Sequence, residues 1–88
     1  MRSLVVSKSA QKKIKLFNKK YPELKTKLES AISGLLKNQF PKSLGVHKLT
    51  GRLKNFYAAN INYEYRLVFL FDNKYAYLIN IGSHDEVY

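Results

Sequence analysis

Eighty-eight residues suffice for one hydrophobic core and not for two, and the absence of cysteine removes disulfides and thiolate metal sites while fitting a reducing compartment. Sixteen Lys and Arg against six Asp and Glu give a net charge of +10: residues 1–55 hold fourteen basic and two acidic side chains, residues 56–88 two and four. So one-sided a field attracts phosphate backbones and is ill suited to a protein that binds only neutral small molecules.

Residues 1–88 are therefore read as one domain. The N-terminal apolar run is too short for the core of a secretory signal, and no segment nears the roughly 20 apolar residues that cross a bilayer. The lysines are spread through helical segments rather than massed beside a strongly apolar face, which argues against a membrane partner. A soluble, cytoplasmic protein is expected.

In chain order, the β-branched run SLVVS (3–7) predicts a strand. From Lys8 to Lys20, Ala10, Ile14 and Phe17 recur at helical spacing among lysines. Tyr21-Pro22 breaks that helix, and Pro22 suits the first turn of another. Leu24, Leu28, Ile32, Leu35 and Leu36 form the second helix's apolar stripe, as far as about Asn38. Beyond the loop QFPKSLGV the period becomes two, through HKLTG, NFYAANIN, YRLVFLF and KYAYLINI. Asp72-Asn73 is a turn signal between the last two runs, with Arg66 expected opposite Ile79 and Glu64 opposite Ile81. The order β-α-α-β-β-β predicts an α+β fold, a mainly antiparallel sheet with a two-helix hairpin on one face.

The usual zinc spacings, Gly-rich phosphate loops and nucleophile elbows are absent. What remains is acid–base chemistry on an anionic substrate that carries its own nucleophile. RNA is such a substrate: a base takes the 2′-OH proton, a cation stabilises the phosphorane, and an acid protonates the leaving 5′-oxygen. Glu64 and Arg66, two apart on an extended segment, are expected on one face, with His84 a few residues beyond Glu64's partner. Strict alternation sends His84 to the face opposite Ile79 and Ile81, so Gly82 is expected to kink the strand and re-aim it. His47, Lys48, Arg52 and Lys54 offer phosphate contacts or a second proton-transfer group.

The stretches VSKSAQKKI, HKLTGRLKNFYAANINYEYRLVF and IGSHDEVY resemble the RelE/ParE toxin superfamily of bacterial type II toxin–antitoxin systems, closest to its RelE/YafQ branch of mRNA interferases. The resemblance spans essentially the whole chain. It implies ribosome-dependent cleavage of mRNA in the A site without a metal or other cofactor, leaving a 2′,3′-cyclic phosphate and a 5′-hydroxyl. It further implies an acidic, partly disordered antitoxin that covers the basic groove, in a hetero-oligomeric complex that binds operator DNA through the antitoxin. By position in the motifs, His47, Glu64, Arg66 and His84 match the catalytic set and Tyr88 the terminal aromatic that orients a base. Asn60 stands where YafQ-like members have a second histidine, and an amide cannot exchange a proton near neutral pH, so its expected role is substrate binding. Two other readings of the fold are a ParE-like inhibitor of DNA gyrase and a non-catalytic antitoxin-binding module.

Overall fold

The computed structural model describes residues 1–87. Strand β1 (Ser3–Val6) gives way to helix α1 (Lys8–Lys20) at Ser7, whose backbone is extended and whose Oγ accepts the Ala10 N–H at 3.1 Å, meeting a donor the helix cannot satisfy itself. Lys19 and Lys20 lie in the last turn, where positive charge complements the helix dipole. The Tyr21 N–H closes α1 on the Phe17 carbonyl, and Pro22 opens a 3-10 turn, Pro22–Leu24, that leads into α2 (Lys25–Leu35). Ala10 and Phe17 of α1 and Leu28, Ala31 and Leu35 of α2 are buried, so the spacing read from the sequence is the inner stripe of both helices.

The remaining strands are β2 (His47–Lys48), β3 (Tyr57–Asn60), β4 (Tyr65–Phe71) and β5 (Tyr75–Ser83), and a short helix α3 (His84–Val87) follows. They form one sheet in the order β1-β5-β4-β3-β2, antiparallel except where β1 runs parallel to β5. This is the expected α+β class with one strand more than expected, since HKLTG pairs in its own right through His47 and Lys48. Side chains alternate across β4. Tyr65, Leu67 and Phe69 face the helices in the main core with Phe17, Leu28, Leu35 and Leu78. Val68 faces the other way, where it meets Ala58, Leu49 and Val87, with Leu53 and Phe56 packed alongside. Each of the fully buried side chains Phe69, Leu67 and Leu78 contributes about 1.5–3 kcal/mol relative to exposure.

The hairpin register differs from the expected one. Arg66 stands opposite Gly82, not Ile79, and Tyr65 stands opposite Ser83; a shift between Val68 and Phe69 pairs Val68 with Asn80 but Phe69 with Leu78, leaving Ile79 as an extra residue in β5. Such a bulge is invisible in a segment apolar on both faces, because sliding the pairing buries equally greasy side chains.

The chain start is tied to the far end of this hairpin. The Arg2 backbone N–H donates to the Leu36 carbonyl, Nε to the Asp72 carbonyl (2.6 Å) and Nη1 to the Lys37 carbonyl (2.5 Å). Its guanidinium lies 4.8 Å from the ring centroids of both Phe40 and Phe71, which meet edge to face at 4.9 Å, and this pair of cation–π contacts offsets the cost of burying the charge. Among the described residues no helix is long and apolar enough to cross a membrane.

Candidate functional site

One row of contacts crosses the sheet at the end away from Arg2. Gly45 adopts a left-handed backbone (φ 55°), and a Cβ there would stand 2.6 Å from Asn60 Nδ2. Asn60 pairs with Arg66, Arg66 with Gly82, and a Cβ on Gly82 would meet Glu86 Cβ at 3.1 Å and Val87 Cγ1 at 3.2 Å. The two glycines let a loop and a helix press against the two ends of this row. The loop before His47, Asn60, Arg66 and the turn that carries His84 are thereby brought into one line. Arg66 lies on Gly82's side of the sheet and not on Ile81's, so Gly82 is not needed to re-aim the strand; its absent side chain makes room for α3.

Glu64 is not on a strand. Residues 61–64 form a turn in which Asn62 Oδ1 accepts the backbone N–H groups of Glu64 (2.9 Å) and Tyr65 (2.8 Å), the Asx geometry that competes with strand pairing. Glu64 and Arg66 therefore do not project side by side from an extended segment as expected. Arg66 Nη1 folds back to donate to the carbonyls of Asn62 and Tyr63, both at 3.1 Å, and Tyr65 at 3.4 Å. The Glu64 carboxylate influences Tyr65 instead: the Tyr21 hydroxyl, burial and the charge of Glu64 all push the Tyr65 phenol's pKa far up, which leaves it a neutral donor at any ordinary pH. Tyr21, Tyr65 and Phe17 stack in a triangle with centroids 4.9–5.2 Å apart. With Lys13, Lys20 and Glu86 they line a cleft of about 780 Å³ on the helix side of the sheet.

His84 opens α3, one residue after the last paired rung, Tyr65–Ser83, so it and Glu64 flank that rung. The imidazole is largely exposed, with Nδ1 3.8 Å from Asp85 Oδ1, an ion pair when the ring is protonated. The Ser83 N–H donates to Glu86 Oε1 (2.8 Å), and the Glu86 N–H to Ser83 Oγ (3.3 Å). Those Ser83 contacts, with the positive charges of Lys20 and Lys13, hold the Glu86 carboxyl below its usual range despite some desolvation.

Across the sheet, His47 Nδ1 lies 2.9 Å from the Gly45 carbonyl. A carbonyl only accepts, so Nδ1 is the protonated nitrogen and in the neutral ring Nε2 carries the lone pair. His47, Lys48 and Arg52 line a cleft of about 630 Å³ with Leu49, Thr50 and Leu53. Lys54 is an exposed residue just past the 3-10 turn Gly51–Leu53 and outside that lining. Leu49 and Leu53 pack in the small apolar cluster that also takes Val87, so the basic cleft and the His84 turn share one floor. Tyr88 lies outside the described residues. The sequence reading missed Glu86, Ser83 and Asn62. The first two were readable as S-x-x-E, the capping-box pattern, and the third as an asparagine ahead of a strand.

The model of a family described as the bacterial toxin of a type II toxin–antitoxin system, YafQ, matches residues 2–88. The chain belongs to the YafQ toxin family. The family expectation drawn from the motifs therefore holds, and with it the RelE-like fold. The crystal structure of YafQ from Escherichia coli strain BL21(DE3) superposes with a TM-score of 0.85 at 20% identity, covering 100% of this chain and 99% of that one. YafQ in the E. coli DinJ–YafQ toxin–antitoxin complex gives 0.83 at 22% identity, covering 99% and 97%. A chain of the YoeB–YefM complex from Staphylococcus aureus gives 0.76 at 21%, covering 96% and 98%. At these identities the likeness shows the fold alone. No curated protein sequence matches significantly. Asn60, expected to contact substrate, stands opposite Arg66 in the β3–β4 pairing.

Proposed function

We propose that this toxin is a ribosome-dependent endoribonuclease that cuts mRNA in the A site. The supporting observation is the row Gly45–Asn60–Arg66–Gly82–Glu86, which gathers the His47 loop, the guanidinium and the His84 turn at one end of the sheet. In the reaction Glu64 takes the proton of the 2′-OH, O2′ attacks the neighbouring phosphorus, the P–O5′ bond breaks, and His84 protonates the departing O5′. The products are a 2′,3′-cyclic phosphate and a 5′-hydroxyl. Arg66 uses Nη1 on its own turn, and Nε and Nη2 form the edge of the fork that suits a phosphate oxygen pair. Lys48, Arg52 and Lys54 attract the flanking phosphates, Asn60 and Tyr88 bind the nucleotide, and His47, in the same cleft as Lys48, is a second proton-transfer group. A chain with charge +10 suits both ribosomal RNA and an acidic antitoxin. DinJ and YefM, seen bound to the relatives, support such a partner, through which the complex would reach operator DNA.

The test is induction in bacteria followed by mapping of mRNA 5′ ends for the parent, His84→Ala and Arg66→Ala. Cuts are expected within translated codons in the parent, with cleavage lowered on the order of 100- to 1,000-fold in Arg66→Ala, as for loss of one preorganised charge donor. Growth arrest that persists undiminished in His84→Ala, without mRNA cuts, overturns the reading in favour of a gyrase-type poison.

A further inference from the structure

We propose that Glu86 is a positioning residue, which with Ser83 closes a capping box that sets the first turn of α3 and so aims the His84 imidazole at the Arg66 end of the sheet. This deepens the assignment of His84 as the proton donor and rests on it.

A four-residue helix at the end of a chain has no intrinsic stability, since nucleation costs more than one turn returns, and chain ends fray unless tied. Here three ties act on residues that surround His84. The Ser83 N–H is bound by Glu86 Oε1 and the Glu86 N–H by Ser83 Oγ, the reciprocal pair that satisfies two orphan helix donors. Val87 is buried against Leu49, Ala58 and Val68. Gly82 lets the turn settle onto β5, where any side chain would meet Glu86 and Val87. His84 is the first residue inside the box, so its Cα–Cβ direction follows from the closed turn rather than from the strand. Glu86 is also held by charge: Lys13 and Lys20 of α1 favour its ionised form, which links the helix hairpin to the turn. Asp85, fully exposed, makes none of these ties.

The experiment measures single-turnover mRNA cleavage on programmed ribosomes together with hydrogen exchange at the Ser83 amide, for Glu86→Ala, Glu86→Gln, Ser83→Ala and His84→Ala. Glu86→Ala is expected to free the Ser83 amide to exchange and to lower kcat on the order of 10- to 100-fold with KM little changed, as misplacing a catalytic group does. Glu86→Gln keeps the acceptor oxygen, so both the slow exchange and most of the rate should be retained. Ser83→Ala combined with Glu86→Ala should cost little more than Glu86→Ala alone. A Glu86→Ala protein whose Ser83 amide exchanges freely while kcat stays at the parental value overturns the proposal, as does a Glu86→Gln protein as slow as Glu86→Ala. If His84→Ala itself keeps the parental rate, it is the reading of His84 that fails, and this outcome is separate from the exchange result.

Discussion

The two ends of β4 carry the same turn device with opposite consequences. At one end Asp72 Oδ1 accepts the backbone N–H groups of Lys74 (2.8 Å) and Tyr75 (2.7 Å). At the other, Asn62 Oδ1 accepts those of Glu64 and Tyr65 at nearly the same lengths. The Asp72 turn is then closed off: the Tyr77 hydroxyl donates to its second oxygen (3.2 Å), and Arg2 donates to its carbonyl and packs on the Phe40 and Phe71 rings. Beyond its own backbone bonds, the Asn62 turn is tied among the described residues by its neighbour Arg66, and it presents Tyr63, which is 89% exposed, beside Glu64. One end satisfies its charges internally, while the other keeps them within reach of solvent. Locking the sheet at one end steadies the strands that carry the more open turn at the other.

That contrast can be broken most severely at Arg2. Arg2→Ala removes two side-chain hydrogen bonds and both cation–π contacts, and should cost about 2–4 kcal/mol of unfolding free energy. Urea denaturation measures it, and cleavage per folded molecule should stay at the parental rate. Gly45→Ala acts on the other end. It forces a left-handed backbone on alanine and drives a methyl into Asn60, for about 1–3 kcal/mol. Because the displaced groups lie beside His47 and Arg66, cleavage should fall more than stability does.

Acid gives the smallest and most selective effect. The bonds from Tyr75 and Lys74 hold the Asp72 carboxyl below its ordinary range. A group whose pKa is depressed on folding stabilises above its unfolded value, and that contribution is lost as pH falls through the folded value. Asn62 carries no such proton. Amide protection at Lys74 and Tyr75, taken against the intrinsic exchange rate at each pH, should therefore fall on acidification while that at Glu64 and Tyr65 is unaffected, and Asp72→Asn should abolish the difference.

Much of this was legible in the residues. The spacing of Ala10, Ile14 and Phe17 marks α1, Pro22 marks the break, and the shift to period two marks the sheet. The histidine, arginine and carboxylate at one sheet end could be seen as a set. Their mutual arrangement could not. LINI is apolar on both faces, so nothing in it fixes the register or shows the bulge at Ile79. NYEYR alternates like a strand, and the Asn62 side chain alone turns it into a bend. The parallel partnership of β1 with β5 joins residues at opposite ends of the chain, and no local pattern encodes it. The capping box was written in SHDE, but a terminal segment gives no reason to expect order until Val87 is seen to be buried.

The order of the strands also governs when the sheet can close. β1 is the first strand to be made, and its neighbour β5 is the last, yet β5 lies inside the sheet between β1 and β4. During synthesis, Ser3–Val6 has nothing to pair with until Tyr75–Leu78 has left the exit tunnel. The His84 edge is completed later still. A sheet laid out in this way cannot close around its first strand until its last one is free to join it.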